Sequence, residues 1–460
     1  MDQELINKKE EYNQLLPVGG DVDVVVIGSG PAGISASIAA SRTGAKVILI
    51  ERFPFVGGMS TLIPIATWPL NTAIEIGELD MPYDGIAGEI LERLKKLDAL
   101  KLHTILNDGV DTFIMDPKEG DNVATSKWYV FDPETLKNLY FDMLQEAKVK
   151  IRVNSLFVDT IIRDNTIEAI VIETLTRREL IKGKIFIDTT GSADVVARSG
   201  SPAALGSGEN DVIPPGLMVP SSTTFRIAGV DTDNVDMYEV ARIYEEHRSR
   251  GEIKVPLEGL GWQVFCKGVV QIFGTRVFNI NPLDPVKATR GEIRQRRQIR
   301  DIANFLKKNI PAFRESRVID TGVSMGLIGT RRIRGDYFIT QKDIIKAKKF
   351  EDAIATGTYR LEIWDPSGEK LHFRHLIGTW YTIPFRSLLP KGLKNVIVGG
   401  SCISGQIVAM GPWAIMPVCY KTGQAAGTVA SICVKQNKKP REIDVRELQN
   451  QLRKDGIFLG

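Results

Sequence analysis

The sequence is short of the residues that build metal centres and disulfide scaffolds. It has four cysteines in 460 residues, at 266, 402, 419 and 433, with no CxxC pair. That spacing argues against zinc, iron–sulfur and disulfide frameworks, and makes a reducing cytoplasm the expected location. Histidines are as scarce, four in all. His372 and His375, in HFRH, have no third ligand beside them and read as loop or surface side chains, so no metal site is expected. An excess of charge of one sign is also missing: a net +3 gives no reason to expect nucleic acid. The local exception, RGEIRQRRQIR over 290–300, reads as the solvated face of a helix. Long apolar runs are absent. The longest stretch, 403–420, is broken by Gly405, Gln406, Gly411, Pro412 and Pro417, and the leader MDQELINKKEEYNQLL lacks the apolar core of a signal peptide. No membrane partner is expected.

What is there is an ordinary globular chain, 43% apolar and 25% charged. Its length allows two or three domains, or one large domain with an insertion.

The first motif follows the leader. VDVVVI, residues 22–27, is a continuous apolar run, as in a parallel strand buried on both faces. Then comes GSGPAG, Gly28–Gly33, and ISASIAASRT, a helix closed by Gly44. A second strand, KVILI, ends at Glu51, 18 residues beyond Gly33. In this strand–turn–helix–strand–acid setting GxGxxG is a dinucleotide fingerprint. Gly28 permits the turn, Gly30 lets backbone approach a pyrophosphate, and Gly33 lets helix and strand pack closely. The helix N-terminus presents free N–H groups to phosphate, and Ser29, Pro31 and Ala32 fall in the same expected cofactor-binding turn. Glu51 would accept from both ribose hydroxyls, which favours FAD or NAD over NADP.

RFPFVGGMST, residues 52–61, narrows the choice. A plain NAD domain needs no paired glycines six residues past the ribose acid. A flavin does, because its ring must lie against backbone. Gly57 and Gly58 are expected to remove side chains from that approach. Arg52, Met59, Ser60 and Thr61 would lie along the nucleotide, ribityl chain and ring.

These segments together resemble the FAD-dependent oxidoreductases of the glutathione-reductase-like superfamily. More narrowly, ERFPFVGGM with a C-terminal GQAAG is similar to the FAD-dependent oxidoreductase family found alone in bacteria and fused in some heterodisulfide-reductase subunits. The resemblance covers most of 22–456 and is weakest over 70–130 and 200–310. It implies an α/β fold: a discontinuous Rossmann-like FAD-binding domain with an inserted α+β capping domain. FAD-binding residues would run from about 20 to 200, with an insertion near 70–130. The cap would span 201–330, and 331–460 would hold a connector and the rest of the FAD domain. A three-stranded meander from IRVNSLFVDTII, NTIEAIVIETL and RELIKGKIFID would bring the backbone of Val158 to adenine. KIFIDTTGSADVV matches the family's second flavin segment at Thr190 and Gly191, with Ser192 where an Asp is usual. In the segment 394–430, a strand, a loop and one long helix would place Gly400, Ser401, Gly411, Pro412, Trp413 and Ala414 at the flavin.

The same comparison shows departures. Ser401, Ile407, Met410 and Ala414 stand where relatives carry Arg, His, His and Arg, and Ile328 replaces another Arg. At EIW, 362–364, an acid and a His are usual. Arg331 and Arg332 are the candidates to bind an anionic substrate or the flavin. Tyr381 and Arg386, in YTIPFRSL, are the candidates to donate a proton or hold a carboxylate. Only one nucleotide motif is evident, so no built-in NAD(P)H site is expected. The implied function is transfer of a hydride or electron pair between a small organic substrate and non-covalent FAD. A redox partner protein, a quinone or oxygen would complete the cycle, and a homo-oligomer is compatible with the sequence. The alternative is a flavoprotein subunit whose FAD is structural or relays electrons.

Overall fold

A computed structural model of the chain describes residues 16–63, 67–69, 84–107, 113–115, 124–208, 211, 213–256, 260–278, 280–326, 329–364, 371–374, 376–377 and 380–460. Ile328, His375 and much of the expected 70–130 insertion lie outside the described residues.

A mixed sheet organises the nucleotide-binding part. The apolar run forms strand β1 (Val18–Ile27) and KVILI forms β2 (Val47–Ile50), joined by helix α1 (Pro31–Arg42). β1 lies between β2 and β6 (Arg178–Asp188), parallel to both, with Ile27 beside Ile50 on one side and Asp188 on the other. Val24 to Val26 are fully buried, as a strand covered on both faces requires. The sequence run at 151–162 divides into two strands. β3 (Lys150–Arg152) pairs parallel with β2 at one edge, and β4 (Leu156–Arg163) joins an antiparallel meander with β5 (Thr166–Glu173) at the other. Strand β6 serves two neighbours on one side. Residues 178–182 pair antiparallel with β5, and 186–188 pair parallel with β7 (Val396–Val398).

Two further helices pack against α1 beside this sheet. Asp132 caps α2 (Pro133–Glu146), accepting from the Glu134 and Thr135 N–H groups, as the DP pair predicts. The expected C-terminal helix is interrupted. A short helix, Met410–Ala414, ends at Ile415, whose extended backbone (ψ 145°) precedes α3 (Met416–Gln436). α3 crosses α1 at very close range: a Cβ on Gly423 would lie 2.1 Å from the Ala32 carbonyl oxygen, and one on Gly427 2.1 Å from that of Ala36. Only glycine permits that crossing.

A separate apolar cluster lies between 225 and 313. A four-stranded antiparallel sheet, in the order Gly261–Cys266, Val269–Phe273, Phe225–Ala228, Arg317–Thr321, packs on helices Met237–Ser249 and Pro285–Asn309. The basic run 290–300, read from sequence as a helix face, lies on the second of them. Strand 261–266 forms a tight hairpin with Val269–Phe273, whereas 317–321 pairs with the distant Phe225–Ala228; the sequence reading named neither.

Candidate functional site

Local sequence fixes the GSGPAG turn. Gly28 has φ +96°, and a Cβ there would sit 2.5 Å from the Thr189 carbonyl oxygen. A Cβ on Gly33 would fall 1.8 Å from the carbonyl oxygen of Gly28. Gly30 differs: a Cβ there meets nothing within 4 Å. Gly30 is also the N-cap of α1, whose first turn has no side-chain cap. Open space therefore lies at the positive end of a helix, the arrangement a pyrophosphate needs.

Glu51, buried at 6% exposure, closes the same corner. Its carboxylate, expected to accept from both ribose hydroxyls, already has three protein donors. One oxygen accepts from the Ser29 N–H at 2.9 Å and the Ser29 hydroxyl at 2.6 Å, and the other accepts from the Phe53 N–H at 2.9 Å. A carboxylate has about four acceptor positions, so about one is left for a ligand. Arg52 is exposed and lies over the Phe53 ring.

The paired glycines have a reason within the protein itself. Gly57 and Gly58 have φ +118° and +55°. A Cβ on Gly57 would strike the Thr61 side chain at 2.5 Å, and one on Gly58 would lie 2.7 Å from Gly30 Cα. Backbone conformation and protein neighbours thus require both glycines. The Ser60 and Thr61 hydroxyls are spent inside the loop, on the carbonyls of Gly57 (2.6 Å) and Val56 (2.9 Å). Below them the buried phenols of Tyr140 and Tyr420 hydrogen bond to each other, and Tyr140 reaches Ser60 at 3.4 Å. Burial pushes the Tyr140 hydroxyl up to about 12. This chain ties α2 and α3 to the glycine loop.

Val158 sits at a register shift between Phe157 and Asp159, so its backbone is left out of the ladder with β5. At the end of β6 the buried Asp188 accepts from the Thr190 N–H (3.1 Å) and hydroxyl (2.7 Å) and from the Val196 N–H (3.1 Å). Burial, then the nearby Asp194 charge, raises the Asp188 carboxyl to about 6. The sequence reading passed over Asp188. Its signal was available: IFID ends in an acid just as VILIE does. Gly191 (φ +74°) offers its carbonyl to the hydroxyls of Thr330 and Ser401, both at 3.4 Å, which joins this segment to the C-terminal one. Gly400 (φ +84°) approaches Ala32 on α1, where a Cβ would lie 3.0 Å from that of Ala32.

The short helix 410–414 does not supply N–H groups at every position. Pro412 has none, and its carbonyl is taken by Tyr381. Trp413 is fully buried and donates Nε1 to the Ser401 carbonyl at 3.3 Å. Ala414 is half-buried.

All four candidate catalytic side chains have protein partners, and of their donors Arg332 Nη1 is buried without one. Tyr381 is fully buried and donates to the Pro412 carbonyl at 2.8 Å. Arg386 forms an exposed pair with Asp352 at 2.9 Å. Arg331 pairs with Asp194 and donates Nε to the Ser192 carbonyl at 2.9 Å. Arg332 is buried at 1% exposure; it donates to the carbonyls of Gly405 (2.8 Å) and Gly206 (2.7 Å), and burial lowers it to about 10.

A better-placed ionisable group was missed. Glu362 is half-buried beside Gly411, whose Cβ would lie 3.6 Å from its own, and it accepts a hydrogen bond from Tyr359. Burial raises its carboxyl, against the Tyr359 bond and the charges of Arg360 and Arg276. The sequence reading noted 362–364 only as a departure, because Gly411, against which Glu362 packs, is distant in sequence. Among the described residues no group of three or more His, Cys, Asp or Glu could hold a metal, and no helix is long and apolar enough to cross a membrane.

The residues present fit a dinucleotide: the open Gly30 position, the uncapped α1 N-terminus and the partly satisfied Glu51 converge on one corner. Comparisons with known proteins agree. A 41-residue stretch, 9% of this chain, is 63% identical to a fumarate reductase (cytochrome) of Shewanella frigidimarina, and covers 7% of that protein. Over 222 residues the chain is 23% identical to digeranylgeranylglycerophospholipid reductase 1 of Methanococcoides burtonii, covering 47% of each. The chain thus spans less than half the length of either relative. The structure of p-nitrophenol 4-monooxygenase from Pseudomonas putida superposes with a TM-score of 0.50 at 10% identity, covering 94% of this chain and 84% of that one, a likeness of fold alone. The family described as FAD dependent oxidoreductase matches residues 23–452. With FAD as the cofactor that this match and the βαβ corner both indicate, the chain belongs to the FAD dependent oxidoreductase family.

Proposed function

We propose that the protein transfers a hydride or electron pair between a small organic substrate and non-covalently held FAD. One observation carries this reading: open space at Gly30, at an uncapped helix N-terminus, beside the Glu51 carboxylate. Bound FAD supplies the two-electron chemistry. The chain's own part is to bind and orient. Gly30 and the first turn of α1 hold the pyrophosphate, Glu51 the ribose, and the unpaired backbone at Val158 the adenine. Met59, Thr190, Gly191, Gly400, Ser401 and 411–414 line the flavin end, in a glutathione-reductase-like arrangement. Residues 201–330 act as the inserted cap over the substrate, and 331–460 return the chain to the FAD domain. We assign proton transfer to Glu362, oriented by Tyr359 and lying beside Gly411. Two relatives are reductases by name, which supports testing the reductive direction first.

A second reading, a flavoprotein subunit with structural or relay FAD, is favoured by the commitment of Arg331, Arg332, Tyr381 and Arg386 to structural bonds. One experiment separates the two: record the visible spectrum of purified protein, then follow anaerobic bleaching against a panel of unsaturated acids, alcohols and amines. Substrate-dependent changes in the flavin band support the first reading. A yellow protein that no substrate oxidises or reduces supports the second. A colourless protein that takes up no FAD sinks both.

A further inference from the structure

We propose that the outer face of helix Pro285–Asn309 is the docking surface for an acidic electron-carrier protein. The proposal rests on the reading above, in which FAD exchanges electrons with something outside the chain.

Val286, Arg290, Ile293 and Arg297 follow one another at intervals of four, three and four, so they form one line along the helix. All four are exposed, the Val at 58% and the Ile at 46%, and Arg294 flanks the line. The opposite side carries Ile299, Ile302 and Leu306 into the cluster beneath the four-stranded sheet. The helix's acids are already engaged: Glu292 pairs with Arg296, and Asp301 with Arg300. Arg290, Arg294 and Arg297 have no acid partner among the described residues. A face with three free guanidinium groups separated by two aliphatic side chains suits a partner surface rich in carboxylates, the complementarity that steers protein association. The aliphatic area is too small to insert into a lipid layer.

The helix is also coupled to the cofactor loop. Arg296 donates to the Gly322 carbonyl at 2.8 Å, and Glu292 accepts from the Met325 N–H at 2.8 Å. The loop so held packs on the residues after the paired glycines. A Cβ on Gly322 would lie 2.4 Å from the Ile63 side chain, and one on Gly326 3.3 Å from the Met59 methyl. Val323 on that loop is exposed at 54%. A partner seated on the arginine line is therefore two layers of contacts from Met59. With FAD bound, two carrier molecules, each giving up one electron, and two protons from solvent would supply its two-electron reduction, and both carriers would leave oxidised.

The test uses the purified full-length protein and two acidic probes, a [2Fe–2S] ferredoxin and a flavodoxin. Binding is read by fluorescence anisotropy of labelled carrier at low and high salt, and electron transfer by anaerobic bleaching with pre-reduced carrier. At least one carrier is expected to bind, more weakly as salt rises. The triple variant Arg290→Glu, Arg294→Glu, Arg297→Glu is expected to weaken binding by about ten-fold or more, with FAD content and dithionite bleaching unchanged. A triple Gln variant, falling between the two, guards against misfolding of the reversed one. Salt-independent binding, equal binding by the variants, or no binding of either carrier overturns the proposal. So does arginine-dependent retention on phosphatidylglycerol vesicles without carrier binding, which would make the face a membrane contact. The binding measurement does not need flavin, so failure of the docking face is distinguishable from failure of the oxidoreductase reading.

Discussion

Ser29 donates both its backbone N–H and its hydroxyl to one oxygen of the Glu51 carboxylate. The acid expected to recognise the nucleotide thus also staples β2 to the phosphate turn. It has a binding role and a folding role, and mutation can separate them. Glu51→Ala is expected to weaken FAD binding by about 1–3 kcal/mol, the order of a charged hydrogen bond, and to lower thermal stability as well. Ser29→Ala frees an acceptor: it should cost about 1 kcal/mol of stability and leave FAD affinity no weaker. FAD fluorescence titration and thermal melting read the two effects. Unchanged affinity in Glu51→Ala removes the ribose role.

The α1–α3 crossing gives a second prediction. In Gly427→Ala the added methyl would meet a backbone carbonyl, which cannot rotate away. The helices must separate, at about 1–3 kcal/mol. Chemical denaturation should show a lower midpoint with little change in slope.

Asp188 makes stability pH-dependent. Its carboxyl rises from an ordinary 3.8 to about 6 in the folded protein, chiefly through burial. The folded state therefore holds its proton more tightly than the unfolded state. This contribution is fully present below the unfolded value and is lost as pH rises through about 6, in total about 3 kcal/mol. Asp188→Asn should flatten the pH dependence of the denaturation midpoint over about pH 4 to 7. An unaltered slope would assign the dependence to other groups.

Glu362 and Tyr359 supply a kinetic test. As proton donor, Glu362 works while protonated, so the rate of substrate-dependent flavin reoxidation should fall as pH rises through its raised value. Tyr359 favours the charged form. Tyr359→Phe should therefore move the fall to higher pH, and Glu362→Gln should abolish it and slow the reaction by about 100-fold. A pH profile indifferent to both substitutions rules out the assignment.

Arg386 is the contrasting case. Its pair with Asp352 is exposed, so Arg386→Gln should change stability by less than about 1 kcal/mol and leave flavin reduction untouched. A large loss of activity would restore Arg386 to the site.

The sequence by itself determined the elements whose causes are local. The buried strand, the glycine turn, the helix and the acid of β1–α1–β2 follow from residues within one short segment, and the Asp132–Pro133 start of α2 needs only its own first turn. Packing decided what those residues face. GSGPAG and VGGMST look alike as glycine motifs, yet only Gly30 opens onto free space, while Gly57 and Gly58 are crowded by Thr61, Tyr140 and Gly30 itself. Tyr140 and Tyr420 meet across 280 positions of chain. Arg331, Arg332 and Tyr381 read as chemistry in sequence, but each points at a carbonyl or carboxylate supplied by a distant segment. A side chain's donors are fixed by its residue type, and its partners are fixed by whatever the fold brings within hydrogen-bond reach.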